Sequence, residues 1–154
     1  MSKEKGIVKF FRSIVRFFRD ERFKITFGSF LILLAIYVTI AFISYFFSWK
    51  NDQDFLWKSI FSGPEVRVEN NAGKLGAWVS SLFLDRWFGL AGFSLPFILF
   101  VFGTSLFGLH LFNTWKTFKI TIIATILLSV VLGYLAGTKA GFLGSGPGGS
   151  HGLF

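Results

Sequence analysis

Along this chain, long charge-free apolar blocks alternate with short charged connections. Residues 25–49, "ITFGSFLILLAIYVTIAFISYFFSW", contain no Asp, Glu, Lys or Arg. As a helix this block is about 37 Å long, enough to cross a hydrocarbon core of about 30 Å with some tilt. Tyr45, Phe46, Phe47 and Trp49 crowd its end, as aromatic residues do where a helix meets the membrane–water boundary. A second charge-free stretch predicts a span over 87–111, with Pro96 inside it giving a kink or local break. A third, 120–138, is about 28 Å as a helix, just sufficient for another crossing. The pattern therefore predicts an all-α membrane protein with three visible transmembrane helices.

The remaining segments are connections and flanks. Residues 1–24 form a basic amphipathic segment: Ile7, Phe11, Ile14 and Phe18 share one helical face, and Lys9, Arg12, Arg16 and Arg19 form a stripe on another. Such a helix lies in the headgroup layer, held by apolar burial and by anionic lipid. The same interleaving of cations and aromatics leaves open nucleic-acid contact, or a positive flank that only sets orientation. Residues 50–86 read as a water-exposed loop with a short helix over 71–86. Asp52 and Asp54 in it read as solvated turn residues rather than a cation site. Residues 112–119 read as a short basic turn, and 139–154 as a Gly-rich loop. Cations crowd the N-terminal segment and the turn around Lys116 and Lys119, whereas those of 50–86 are matched by acids. The positive-inside rule then puts the N-terminus and that turn in the cytoplasm, and 50–86 and 139–154 outside.

Composition agrees with a membrane protein. Of 154 residues, 53% are hydrophobic and 20% aromatic, including 23 Phe. With no Cys there is neither a disulfide framework nor a thiolate metal site. His110 and His151 stand apart without acidic company, so no cofactor or metal is expected. "GSGPGGS" (Gly144–Ser150) lacks the Gly-Lys-Ser/Thr of a phosphate loop and follows no strand. No charge falls inside a span, which argues against an ion-coupled transporter or channel. No nucleophile and base pair up, so the chain reads as scaffold or anchor and not as an enzyme.

Two small-residue patterns predict helix packing. Ser129, Gly133, Gly137 and Gly141 recur every fourth residue in and after the third apolar block, a ridge that lets another helix approach within a subunit or between subunits. Gly73, Ala77 and Ser81 form a smooth face on the short helix, opposite the bulky Leu75, Trp78, Val79, Leu82 and Phe83. Asp85 and Arg86 place that helix at the membrane boundary rather than in mid-bilayer.

"NNAGKLGAWVSSLFLDRWFGLAGFSLP" resembles the region before and within the second span of the FtsK/SpoIIIE family of bacterial DNA translocases. The resemblance is carried by Asn71, Gly73, Gly76, Ala77, Trp78, Phe88, Gly89 and Pro96. Val79, Ser80 and Ser81 depart from it, since family members usually have a small residue and an Asp after Gly-Ala-Trp. The resemblance implies a four-span domain of which the fourth helix is missing here. It also implies a motor beyond Phe154, which alone would need ATP and Mg and touch DNA. The expected role is membrane anchoring, septum targeting and assembly for a translocase acting in cell division and chromosome segregation. The expected setting is the bacterial cytoplasmic (inner) membrane, as a homo-oligomer alongside divisome membrane proteins. The alternative from the residues alone is a small structural subunit of a larger envelope complex.

Overall fold

The computed structural model describes residues 20–52, 60–61, 67–136 and 145–153, which are helical or irregular, with no strand among them. The Lys9, Arg12, Arg16 and Arg19 stripe with Phe11 and Phe18 lies outside the described residues, as do Asp54, Gly137 and Gly141.

Helix α1, Glu21–Asp52, is the first span. Asp20 starts it by accepting a bond from the Arg22 amide at 2.8 Å, satisfying one of the orphan donors of the first turn. With 32 residues it is roughly 48 Å long and so outreaches the hydrocarbon layer. It buries Gly28, Ala35, Val38, Phe42, Tyr45 and Asp52 at near-heptad spacing, the seam of a left-handed crossing. Ile25, Phe30, Leu33, Ile36, Ile40, Ile43 and Phe47 are exposed around the rest. In water that surface would aggregate; in lipid it is the solvated face.

Residues 67–72 are irregular and lead to α2, Gly73–Ser80. The same helical rod continues as a π-helical stretch, Ser81–Trp87. A 3₁₀ segment, Gly89–Phe93, and α3, Ser94–Leu106, together make the second span. It starts two residues later than the predicted Trp87 and stops well short of Leu111. Pro96 is the third residue of α3, just past the change from 3₁₀ to α, so the irregularity its ring requires precedes it. Gly108, at φ +77°, turns the chain, and the Thr114 hydroxyl donates to Ser105 Oγ at 2.8 Å across the turn.

The third span, α4, is Thr114–Ala136, and so starts inside the predicted basic turn. Asn113 explains the early start: its Oδ1 accepts from the Lys116 amide at 3.2 Å and its carbonyl from the Thr117 amide at 2.8 Å. The segment expected as a loop is largely the helix's first turn, with Lys119 over the Trp115 ring at 5.4 Å. Most of α4 is exposed; Thr125, Ser129 and Gly133 form its buried stripe.

The core lies where α1, the π stretch and the second span meet. Val38, Phe42, Tyr45 and Leu84 are its buried centre, with Val79, Phe83, Phe93 and Leu99 packed around them. Phe42 meets Phe93 edge-on at 5.3 Å between centroids, and Phe46 stacks on Phe93 at 5.8 Å. Further along, Gly28 and Gly103 let α1 and α3 approach backbone to backbone, which also shows the two helices running antiparallel.

Candidate assembly site

Two irregular segments lie against spans, and each is held by side chains from the spans or from the π-helical stretch. Non-helical backbone is tolerated at membrane depth only where its amides and carbonyls find partners. The first segment is Glu69–Ala72. Its backbone runs along α1 from beside Asp52 towards Tyr37, against the helix's own direction. The Glu69 amide donates to Asp52 Oδ1 at 3.1 Å, and the Asn71 amide to Ser44 Oγ at 2.8 Å. The Tyr37 hydroxyl donates to the Ala72 carbonyl at 2.7 Å.

Asn70 ties the segment together. Its side-chain amide donates to the Ala41 carbonyl at 2.9 Å, and its Oδ1 accepts from the Ala72 amide at 2.9 Å. Its own carbonyl accepts from the Gly73 amide at 2.8 Å. Gly73 has φ +70° with open space beside it, so its glycine is required by backbone conformation and not by close packing. Gly76 is the position of close approach: a methyl there would collide with Ala72 and press on Asn70 Oδ1 and Ala41. Ala77, Ser80, Ser81 and Leu84 are buried beside it, while Trp78 is half-buried and Leu75 exposed.

The second segment is Ser145–Leu153, the far end of the Gly-rich stretch. It is not a free loop. Its last residues form a short 3₁₀ turn, Ser150–Leu153, and Gly146, Gly148, Gly149 and Gly152 are buried. Asp85 Oδ1 receives both the amide and the hydroxyl of Ser145, at 2.9 and 2.8 Å. The Leu90 amide donates to the Pro147 carbonyl at 2.8 Å, and the Ser129 hydroxyl to the Gly148 carbonyl at 2.5 Å. Gly89, at φ +59°, faces the Pro147 carbonyl with no room for a methyl. Gly133 likewise abuts the Gly152 backbone. The Ser129–Gly133 ridge thus receives a glycine-rich strap of its own chain instead of a helix.

Of the residues singled out from sequence, Gly76, Ala77, Gly89, Ser129 and Gly133 fall within these two contacts. Asn71 contributes its backbone, and its side chain is exposed. Pro96 is buried and lines a groove of about 390 Å³ with Ala35, Thr39 and Phe97. Asn70, Ser44, Tyr37 and Asp85 were not singled out as contact residues. Asp52, read as a solvated turn residue, is 1% exposed and ends α1. His110 is exposed, its Nδ1 at 2.9 Å from the Gly108 carbonyl.

Among the described residues no group of three or more His, Asp or Glu comes together to hold a metal. What is built instead is a multi-pass, all-helical membrane protein whose polar side chains hold spans and irregular segments together. Residues 20–154 match the family model of the 4TM region of DNA translocase FtsK/SpoIIIE, and the chain belongs to that family. It is similar to the DNA translocase FtsK of Haemophilus ducreyi (strain 35000HP / ATCC 700724), at 32% identity over 148 residues. That alignment covers 80% of this chain and 14% of the relative, so the chain spans about one-seventh of the relative's length. No solved structure matches the chain. The matched region is the translocase family's membrane region.

Proposed function

We propose that this chain is the anchoring, septum-targeting and assembly domain of an FtsK-like DNA translocase acting in cell division and chromosome segregation. The observation that carries this reading is where the polar side chains go: Asn70, Asp85 and Ser129 bind the chain's own backbone. That is the chemistry of a scaffold. In this reading ATP, Mg and DNA are handled by a motor outside these 154 residues. The domain sits in the bacterial inner membrane as a homo-oligomer, beside divisome membrane proteins and anionic lipids.

Charge supports a cytoplasmic N-terminus. Arg22 and Lys24 of α1 and Lys116 and Lys119 of α4 gather at one end of the bundle. At the other end Lys50, Arg67 and Arg86 are interspersed with Asp52, Glu69 and Asp85. Cysteines at the exposed positions Glu69 and His110 test this: an impermeant thiol reagent added to intact cells should label E69C and spare H110C. The reverse pattern overturns the orientation. For the role itself, the chain fused to a fluorescent protein should gather at division sites; an even distribution along the envelope sinks septum targeting.

A further inference from the structure

The connection between the second and third spans is built unlike a loop in water. It runs from Phe107 to Asn113, and its large apolar side chains face outwards. Leu109 is 59% exposed, Leu111 60% and Trp115, in the first turn of α4, 61%; Phe107 and Phe112 are exposed as well. Its backbone meanwhile answers itself. Five consecutive amides, those of Phe107, Gly108, Leu109, His110 and Leu111, each donate to a carbonyl between Thr104 and Leu109, at 3.0–3.2 Å. The start of α4 closes in the same way, with the Thr114 hydroxyl on Ser105 Oγ and the Lys116 amide on Asn113 Oδ1. The Phe112 ring meets the Phe97 ring edge-on at 6.1 Å between centroids, and Phe97 lies roughly two turns before the end of α3. That side chain therefore points back along the span and not away from the membrane.

A loop in water needs neither property. Water would answer its amides, and a contiguous set of large apolar side chains held in water is a liability. At the headgroup boundary both are favourable: the side chains enter the acyl edge, and donors already bonded are not orphaned where water is scarce. Trp115 is the residue type that settles at this depth. Charge then selects among lipids. Lys116 and Lys119 are exposed and three apart, so they share one face of α4, with the Lys119 ammonium 5.4 Å from the Trp115 ring centroid. The chain has no Asp or Glu after Asp85. At the same end of the bundle, Asp20 and Glu21 are matched in number by Arg22 and Lys24. The two lysines therefore stand as surplus positive charge beside an apolar turn, and a lipid phosphate with an acyl chain complements both.

We propose that the Phe107–Trp115 connection is seated in the headgroup layer, and that Lys116 and Lys119 beside it gather anionic phospholipid from that leaflet. This rests on the anionic-lipid part of the reading above, and on neither the septal role nor the orientation, whose tests are separate from this one. The chain has no Cys, so single cysteines in the full chain can carry an environment-sensitive fluorophore at Leu109, at Leu111 or, as a water-facing control, at exposed Glu69. In nanodiscs of phosphatidylcholine and phosphatidylglycerol, a lipid spin-labelled near its headgroup end should quench L109C and L111C strongly and E69C weakly. A neutral water-soluble quencher should give the reverse order. Spin-labelled phosphatidylglycerol should be enriched beside L111C about fivefold over phosphatidylcholine bearing the same label, the factor one lysine near the surface supplies. Lys116→Gln combined with Lys119→Gln, both at exposed positions, should remove most of that preference. Fluorophores at Leu109 and Leu111 that behave like the one at Glu69 overturn the seating. Equal quenching by the two lipids, or a preference that survives the double substitution, overturns the lipid site. Protection from both kinds of quencher would mean that protein covers the turn, and it overturns the proposal as well.

Discussion

Replacing Asn70 by Ala tests whether the docking of the Glu69–Ala72 segment is as specific as its geometry implies. Two side-chain hydrogen bonds are lost, to the Ala41 carbonyl and from the Ala72 amide, both at 2.9 Å. The Ala41 carbonyl keeps its place in the helix ladder, so that bond is worth about 0.5–1.5 kcal/mol. The part-buried Ala72 amide fares worse, because a donor left without an acceptor costs about 1–3 kcal/mol when buried. Bonds between membrane helices average only about 0.6 kcal/mol, which favours the low end of each range. The expected loss is therefore about 1.5–2 kcal/mol. Asn71→Ala is the control: its amide still reaches Ser44 Oγ and its side chain is exposed, so it should stay within about 0.5 kcal/mol of wild type. Equilibrium unfolding in mixed micelles, titrated with a denaturing detergent, measures both. Equal stabilities for the two variants, or N70A within 0.5 kcal/mol of wild type, would refute the role assigned to Asn70.

Other perturbations address the strap and the turn. Gly133→Leu places a branched side chain where the Gly152 backbone lies and should destabilise by at least about 2 kcal/mol, whereas exposed Leu127→Val should be nearly silent in the same unfolding titration. Asp85→Ala removes both acceptor contacts to Ser145; hydrogen exchange at the Ser145 amide should accelerate about tenfold or more, matching a local loss near 1.4 kcal/mol. Gly73→Ala, strained only by its positive φ, should cost about 1 kcal/mol, and Gly76→Ala should cost more because a neighbour must move. Equal losses for the two would remove the distinction between conformational and packing glycines.

The spans were legible because charge-free length is a strong signal and lipid demands it. Their ends were less so. Asn113 moves the start of α4 to Thr114 through a single cap, a one-residue effect that hydropathy averages away. Ser129 and Gly133 stood out by spacing, yet spacing says only that there is room for a close neighbour, not what the neighbour is. The occupant is a stretch of the same chain, recognisable only once its carbonyls are seen to meet Ser129 and Leu90. Asn70 and Asn71 are chemically identical neighbours; which one turns inward depends on how the segment enters α2. Asp52 was misjudged because a carboxylate beyond an apolar block ordinarily faces water, and its burial depends on a returning segment distant in sequence.

The glycine strap also sets an order on biogenesis. The stripe of α4 that it covers is finished by residues synthesised later, Ser129 being joined to Gly148 across 19 positions. At roughly 5–20 residues per second, those positions leave the ribosome about one to four seconds after the stripe itself. During that interval the Ser129–Gly133 stripe is laterally open in the bilayer. A mutation that slows strap closure would therefore act first on insertion yield and quality control, before any defect in the finished protein could be measured.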